Sequence, residues 1–314
     1  MTQHRAFVYS RIESRIWGVR GEASPKVRKT PSFSTLQLLV AQPAHAELRR
    51  TPGDGAGGRA TTRIELGTAV MPTYPRHPIA MAQEAMTANA ATRGRLTLGI
   101  GLSHRPTIED VMGLSYAHPA RHRQEYLTVL QALLRDHTVA YPGETLRVTA
   151  AVSVPEPQPL PVLLAALAPR MLQLAGSLAE GPIPWMAGVE TLATPVVPRL
   201  QAAAREAGRP APRLCVGLPR AVTDDVPGAW EAAARILARY GQLTHSRRLL
   251  DREDAQGPAD VAVLGHEGEV TRQLQALARV GAPAFSRPFS RSAPTRLARE
   301  RVPGHCSGVC TRWR

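Results

Sequence analysis

The sequence predicts a parallel α/β barrel, on three observations. Strand-like and helix-like runs alternate from about residue 63 to residue 282. The first complete unit, Arg63–Gly101, reads strand, loop, helix, strand, which is a β-α-β crossover with a parallel pair. Both of its strands stop at glycine and small residues, and α/β folds hold ligands at such carboxyl ends.

Each element has its own signal. RIELGTAV (63–70) is strand-like and ends at a small-residue corner; PTYPRHP (72–78) is a rigid loop with three prolines. IAMAQEAMTANAA (79–91) is helical, and RLTLGIG (95–101) is a second strand closing on two glycines. SHRPTIEDVMGLSY (103–116) reads as loop, and a helix follows over 118–135. The β-branched, turn-punctuated stretch 138–154 predicts a small hairpin. PVLLAAL (161–167) is a buried parallel strand by its unbroken apolar run. PRMLQLAGSLAEG (169–181) is a helix with proline in its first turn and glycine just past its end. IPWMA (183–187) is a short strand, and 189–208 is a helix interrupted by Pro195 and Pro198. RLCVGLPRAVT (213–223) is a strand, two helices fill 227–255, and 265–282 is an amphipathic helix. Five strands are clear, where a full barrel has eight.

Composition narrows the function classes. Hydrophobic residues make up 43% of the 314 but aromatics only 4%, so Leu, Val, Ile and Ala must fill the core. No run approaches the roughly 18–20 apolar residues that span a bilayer. The N-terminal stretch lacks a compact apolar run followed by a cleavage site. Cys215, Cys306 and Cys310 make no disulfide framework, so reduced thiols and a cytoplasmic location are expected. The net charge of +14 is unevenly placed. Residues 1–63 carry 11 Lys/Arg against 4 Asp/Glu, and residues 281–314 carry 7 against 1. The stretch between holds 21 against 20, a near-neutral globular pattern that argues against nucleic acid or a membrane surface as the partner. Three segments follow: a basic, weakly ordered 1–59, a barrel domain over 60–282, and a basic tail over 283–314. TPGDGAGGRA (51–60) reads as a flexible linker.

RIELGTAV-MPTYPRHP, GRLTLGIGLSH, VLLAALAPRMLQLAG and WMAGVETL, in that order, resemble the luciferase-like monooxygenase family. More narrowly, they resemble its actinobacterial branch of oxidoreductases dependent on the deazaflavin coenzyme F420. The resemblance runs from about Ala60 to Ala282. It implies a luciferase-like (β/α)8 TIM barrel with an insertion carrying extra strands. Residues 63–70, 95–101, 161–167, 183–187 and 213–223 then stand as its third to seventh strands. Residues 1–59 do not resemble the first two strands, nor 283–314 the eighth, so the barrel is expected to be atypical at both ends with two open sheet edges.

The resemblance also assigns site residues. Gly67, Thr68, Ala69 and Val70 form a corner that in the family supports the flavin-like ring, often through a non-prolyl cis peptide. Gly99, Gly101 and Ser103, at and beyond a strand end, let backbone approach a planar ring. His104 is the candidate acid/base group, since imidazole titrates near neutral pH. Some deazaflavin-dependent relatives place a carboxylate near this point, so the histidine implies an altered role. His77 in PRHP reads either as a substrate-facing group or as a helix-start residue bonded to backbone. Ala168, Pro169 and Arg170 open a helix whose free N–H groups suit the cofactor's phosphate. Glu180–Gly181 matches the family's Asp-Gly pair, and Trp185 reads as core. HCSGVC (305–310) offers at most three metal ligands, so no metal is expected.

The expected activity is hydride transfer between F420 and a small organic substrate. FMN with oxygen is the close alternative cofactor, with homodimer formation one assembly state. The other class is a catalytically inactive barrel fragment that pairs with another chain through its open edges.

Overall fold

Strand β1 (Phe7–Ser10) runs parallel to β2 (Glu65–Thr68), in a register from Phe7↔Glu65 to Ser10↔Thr68. The structure is a computed structural model that describes residues 7–10, 65–154, 157–282 and 284–286. The linker at 51–60, the HCSGVC run and most of the two basic segments lie outside the described residues.

The predicted β-α-β unit forms. After β2 come the two-residue strand β3 (Met71–Pro72), helix α1 (Pro78–Ala91) and β4 (Leu96–Gly101). All six positions of β4 are buried, the pattern of a strand covered on both faces. Helix α1 turns Met81, Ala82, Ala85 and Met86 inward, one stripe at helical spacing. Asn89 is the buried polar exception. Its amide donates to the carbonyls of Gln158 and Pro159, and its oxygen accepts from Leu96 N, tying α1 to β4 and to the approach of the next strand.

Helix α2 (Pro119–Asp136) packs on α1 and leads into an antiparallel hairpin, β5 (Thr138–Pro142) and β6 (Arg147–Ala151). Glu125 of α2 holds the hairpin's turn. Its carboxylate accepts from Glu144 N, Thr145 N, Thr145 Oγ1 and Leu146 N. Strand β7 (Val162–Leu164), helix α3 (Pro169–Leu178) and β8 (Gly181–Pro182) follow. Helix α4 (Val197–Glu206) is led in by one helical turn and a π-helical stretch over Leu192–Val196 that contains Pro195. The ring of Pro195 accounts for the break, since it removes a backbone donor. The chain ends its described course with β9 (Cys215–Gly217), β10 (Arg220–Val222), α5 (Val226–Gly241), α6 (Thr244–Arg252), β11 (Val263–Gly265), α7 (Glu267–Arg279) and β12 (Ala284–Ser286).

The strands make a parallel barrel wall in the order β1-β2-β4-β7-β8, with β3 also on β4. A single bridge between Trp185 and Gly217 carries the wall to β9, which pairs with β12. Strand β12 in turn lies beside β1. The ring therefore has seven strands among the described residues. The expected open edges are a point of correction. Phe7–Ser10 and Ala284–Ser286 occupy the gap, because short strands gain backbone hydrogen bonds from a neighbour on either side. Strand β11, unpredicted, pairs with β10 in a separate parallel couple.

The amino ends of the strands are closed by charge. Glu65 is 8% exposed and takes a two-pronged contact from Arg213, at 2.6 and 2.8 Å, plus a hydrogen bond from Thr97 Oγ1. The pair joins the start of β2 to the approach of β9.

Candidate active site

The carboxyl ends of β2, β4 and β7 meet at one face of the barrel, and the predicted corner sits there. Thr68 ends β2 and clasps β4. Its hydroxyl donates to Gly99 O at 2.8 Å and accepts from Gly99 N at 2.9 Å. The Ala69–Val70 peptide is cis. Beneath it lies an apolar floor of Leu163, Ile183 and the buried Cys215.

Gly99 and Gly101 have packing reasons. A Cβ on Gly99 would stand 2.0 Å from the Thr68 carbonyl oxygen and 2.6 Å from Ile183 Cδ1. On Gly101 it would meet Val70 Cγ2 at 2.6 Å and Ala165 Cβ at 3.1 Å. Protein fills the space where each Cβ would stand, so both glycines are required by the close packing of β4 against the corner. Ser103 follows with φ +66°, and its carbonyl accepts from the Tyr116 hydroxyl at 3.2 Å.

His104 is half-buried at this face, edge-on to Tyr240 with ring centres 6.1 Å apart; Tyr240 is 6.1 Å from Trp185. Trp185, expected as core, is thus a half-buried part of this aromatic edge. The stretch 103–116, predicted as loop, contains a π-helical turn over Thr107–Val111 that buries Ile108. Its start is set by Ile108 N donating to His104 O.

Of the two roles open to His77, the structure shows the helix-start one. Its exposed ring accepts from Ile79 N at 3.3 Å and so satisfies a free donor at the start of α1. Glu180 and Gly181 serve the wall. The Glu180 carboxylate accepts from Val162 N at 2.6 Å, and Gly181 passes so close to Arg213 that a Cβ would lie 1.8 Å from its carbonyl oxygen.

Ala168, Pro169 and Arg170 are exposed at the start of α3. Ala168 is the extended N-cap residue, Pro169 opens the first turn, no side chain caps it, and no acidic residue lies in that turn. This is a donor-rich end with nothing local to repel an anion.

Four residues that the sequence reading passed over gather beside this corner. Tyr74, from the proline-rich loop, stacks on His122 of α2 with ring centres 4.1 Å apart and planes 7° apart. Its other contact is a stacked Tyr116 at 5.1 Å. His122 Nε2 is 3.2 Å from Thr73 Oγ1. Burial, reinforced by the neighbouring Arg123 charge, lowers His122 to about 4, so the ring is neutral at pH 7. Burial, aided by Tyr116, raises the Tyr74 phenol to about 12. Arg123 is 4% exposed and donates through Nη1 to the carbonyl of Ala165, just past β7. Burial lowers it to about 10, and it stays cationic at neutral pH. A signal was present. Arg123 shares a 3–4-residue spacing with Tyr126, Leu127, Leu130 and Leu133, all buried, so it lies on the apolar stripe of α2.

No group of three or more His, Cys, Asp or Glu residues suited to a metal occurs among the described residues. No helix there is long and apolar enough to cross a membrane.

A parallel barrel whose ligand-type chemistry gathers at the strands' carboxyl ends defines a class of ligand-binding (β/α) barrels. Within it, the profile of the luciferase-like monooxygenase family matches residues 55–284, and the chain belongs to that family. An uncharacterized protein of Mycobacterium tuberculosis is 30% identical over 207 residues, 61% of this chain and 61% of its own. An F420-dependent glucose-6-phosphate dehydrogenase of Microbacterium testaceum is 33% identical over 135 residues, 41% of this chain and 40% of its own. The chain thus matches about three-fifths or less of the length of these relatives. Among solved structures, an F420-dependent secondary alcohol dehydrogenase in complex with an F420-acetone adduct superposes with a TM-score of 0.65. It is 18% identical, and the match covers 91% of this chain and 93% of that one, a likeness of fold.

Proposed function

We propose that this chain is an F420-dependent oxidoreductase that moves a hydride between the deazaflavin ring and a small organic substrate. One observation carries the reading: the Thr68–Val70 corner, His104 and the uncapped start of α3 stand at the carboxyl ends of adjacent parallel strands. The F420-dependent relative supports the choice of cofactor.

The residues fit such a group. Bound F420 would supply the hydride chemistry. The apolar floor under Ala69 and Val70 supports a flat ring, and the first turn of α3, with Arg170, offers donors and positive charge for a phosphate. His104, three residues past the end of β4, in this reading holds or delivers the proton that accompanies hydride transfer to a carbonyl. Its imidazole takes the role that a carboxylate fills in some relatives. Tyr74, Tyr116 and His122 wall the site and exclude water.

The test is a fluorescence titration of the purified chain with F420, with FMN as comparison. Saturable micromolar binding of F420 is expected. Binding of FMN alone would replace the reading with the flavin monooxygenase chemistry of the same family. Binding of neither, in a sample shown to be folded, would overturn it in favour of an inactive barrel.

A further inference from the structure

Two hydrogen-bond donors beside the corner have no acceptor among the described residues: Arg123 Nε and the Tyr74 hydroxyl, both atoms buried. A buried guanidinium is costly without a counter-charge, and a buried donor without an acceptor costs free energy as well. The carboxylates that might neutralise Arg123 are engaged elsewhere. Glu109 pairs with Arg105 at 2.8 Å, and Glu125 is taken up by the four donors of the hairpin turn.

The two donors share one place. Arg123 is tied to Ala165, which also flanks Gly101, so its head lies over the ends of β4 and β7. Tyr74 follows β3 by two residues, and Thr73 N donates to Gly101 O at 2.9 Å, so it stands over the same strand end. Arg123 and Tyr74 lie within electrostatic reach of one another. Stacking between Tyr116 and His122 fixes the Tyr74 ring, and the neutral His122 adds no competing charge. Tyr74 as a whole is half-buried, with its hydroxyl oxygen on the buried side.

We infer that Arg123 and Tyr74 form an oxyanion-binding subsite that takes a carboxylate or phosphate oxygen between guanidinium N–H and phenol O–H. The phenol stays protonated through the neutral range, and the guanidinium stays charged. Charge-assisted hydrogen bonds of this kind are short and strong, and Arg suits carboxylate and phosphate geometry. The subsite deepens the proposed function, because it lies on the face which that reading gives to the cofactor. The oxyanion belongs either to an acid group on the substrate, with the cofactor's phosphate at the start of α3, or to that phosphate, held here instead of at α3.

The experiment is calorimetric titration of the full chain with inorganic phosphate, with F420, and with the deazaflavin riboside that lacks the phosphate. The variants are Tyr74→Phe, which removes one hydroxyl from a stacked ring, and Arg123→Lys, which keeps the charge but loses the planar fork. Phosphate is expected to bind the wild type and to bind Tyr74→Phe about tenfold more weakly. If F420 weakens by a similar factor in that variant while the riboside does not, the oxyanion is the cofactor's. If both deazaflavins bind both proteins alike while phosphate weakens, it is the substrate's. Phosphate that fails to bind the folded wild type, or binds Tyr74→Phe and Arg123→Lys as well as the wild type, would overturn the inference. Failure of F420 alone, with phosphate binding and its loss intact, would sink the proposed cofactor and leave the subsite standing.

Discussion

Replacing Arg213 by Met tests whether the amino-end ion pair holds the barrel shut. Glu65 is buried and takes both prongs of Arg213, so the substitution leaves a carboxylate with Thr97 as its remaining partner. Removing one partner of a fully buried pair costs about 3–5 kcal/mol. The Arg213 side chain is 28% exposed, which screens the pair and brings the cost to about 2–3 kcal/mol. For a domain of this size 1 kcal/mol shifts the melting temperature by roughly 2–4 °C, so a fall of about 4–12 °C is expected. Thermal unfolding followed by circular dichroism at pH 7 reads it. The double variant Glu65→Leu with Arg213→Met should recover most of the loss, because an apolar pair of similar volume leaves no orphan charge. F420 binding should be untouched, since the pair lies at the opposite end of the strands from the corner. A single variant melting within a degree of the wild type, or a double variant no better than the single, would refute the argument.

Other substitutions separate the corner from its surroundings. Gly99→Ala drives a Cβ against the Thr68 carbonyl, which is backbone, and should cost upwards of about 3 kcal/mol. Gly101→Ala meets the movable end of Val70 first and should cost less; urea midpoints rank the two. Glu125→Gln removes the charge that gathers the hairpin turn, at about 1.5–3 kcal/mol, and hydrogen exchange should speed up at the amides of Glu144, Thr145 and Leu146. Burial pushes the Glu125 carboxyl up, but its four hydrogen bonds outweigh that and hold it below the usual range. Its contribution is therefore complete above about pH 4.3 and lost as pH falls below it. His122 acts in a higher window. Its folded value of about 4 lies below the unfolded 6.5, so the unfolded chain binds the extra proton first. Stability is full above about pH 6.5 and declines toward pH 4 by about 2–3 kcal/mol, and His122→Phe should flatten that slope in acid titrations.

The elements legible in the sequence were those with a period or a punctuation of their own. Helix α3 announced itself by Pro169 in its first turn, though it stops at Leu178 and Gly181 opens β8, and β4 by an apolar run closing on Gly99 and Gly101. Strands β11 and β12 were illegible because three residues carry no period, and only pairing partners define them. At the site, the Thr68–Val70 corner closes β2 and the start of α3 follows β7, positions legible from the alternation of strand and helix. His77 stayed ambiguous in the sequence because a proline-flanked histidine serves capping and binding equally well; its bond to Ile79 N shows the cap. Arg123 was missed because arginine in an amphipathic helix is normally solvated, and its place on the buried stripe shows only when the helix is phased.

The pairing of β12 beside β9 and β1 has a consequence for how the chain is made. The corner and the start of α3 come from residues 65–170, a run that leaves the ribosome before the floor residues Ile183 and Cys215. Ring closure waits for Ala284–Ser286, which lies some 275 residues along the chain from Phe7–Ser10. Contacts of such sequence separation form late and slowly. During synthesis the nascent wall therefore presents the unpaired outer edges of β1 and β9, and in the cell this is the interval in which a chaperone, or another copy still on its ribosome, meets it.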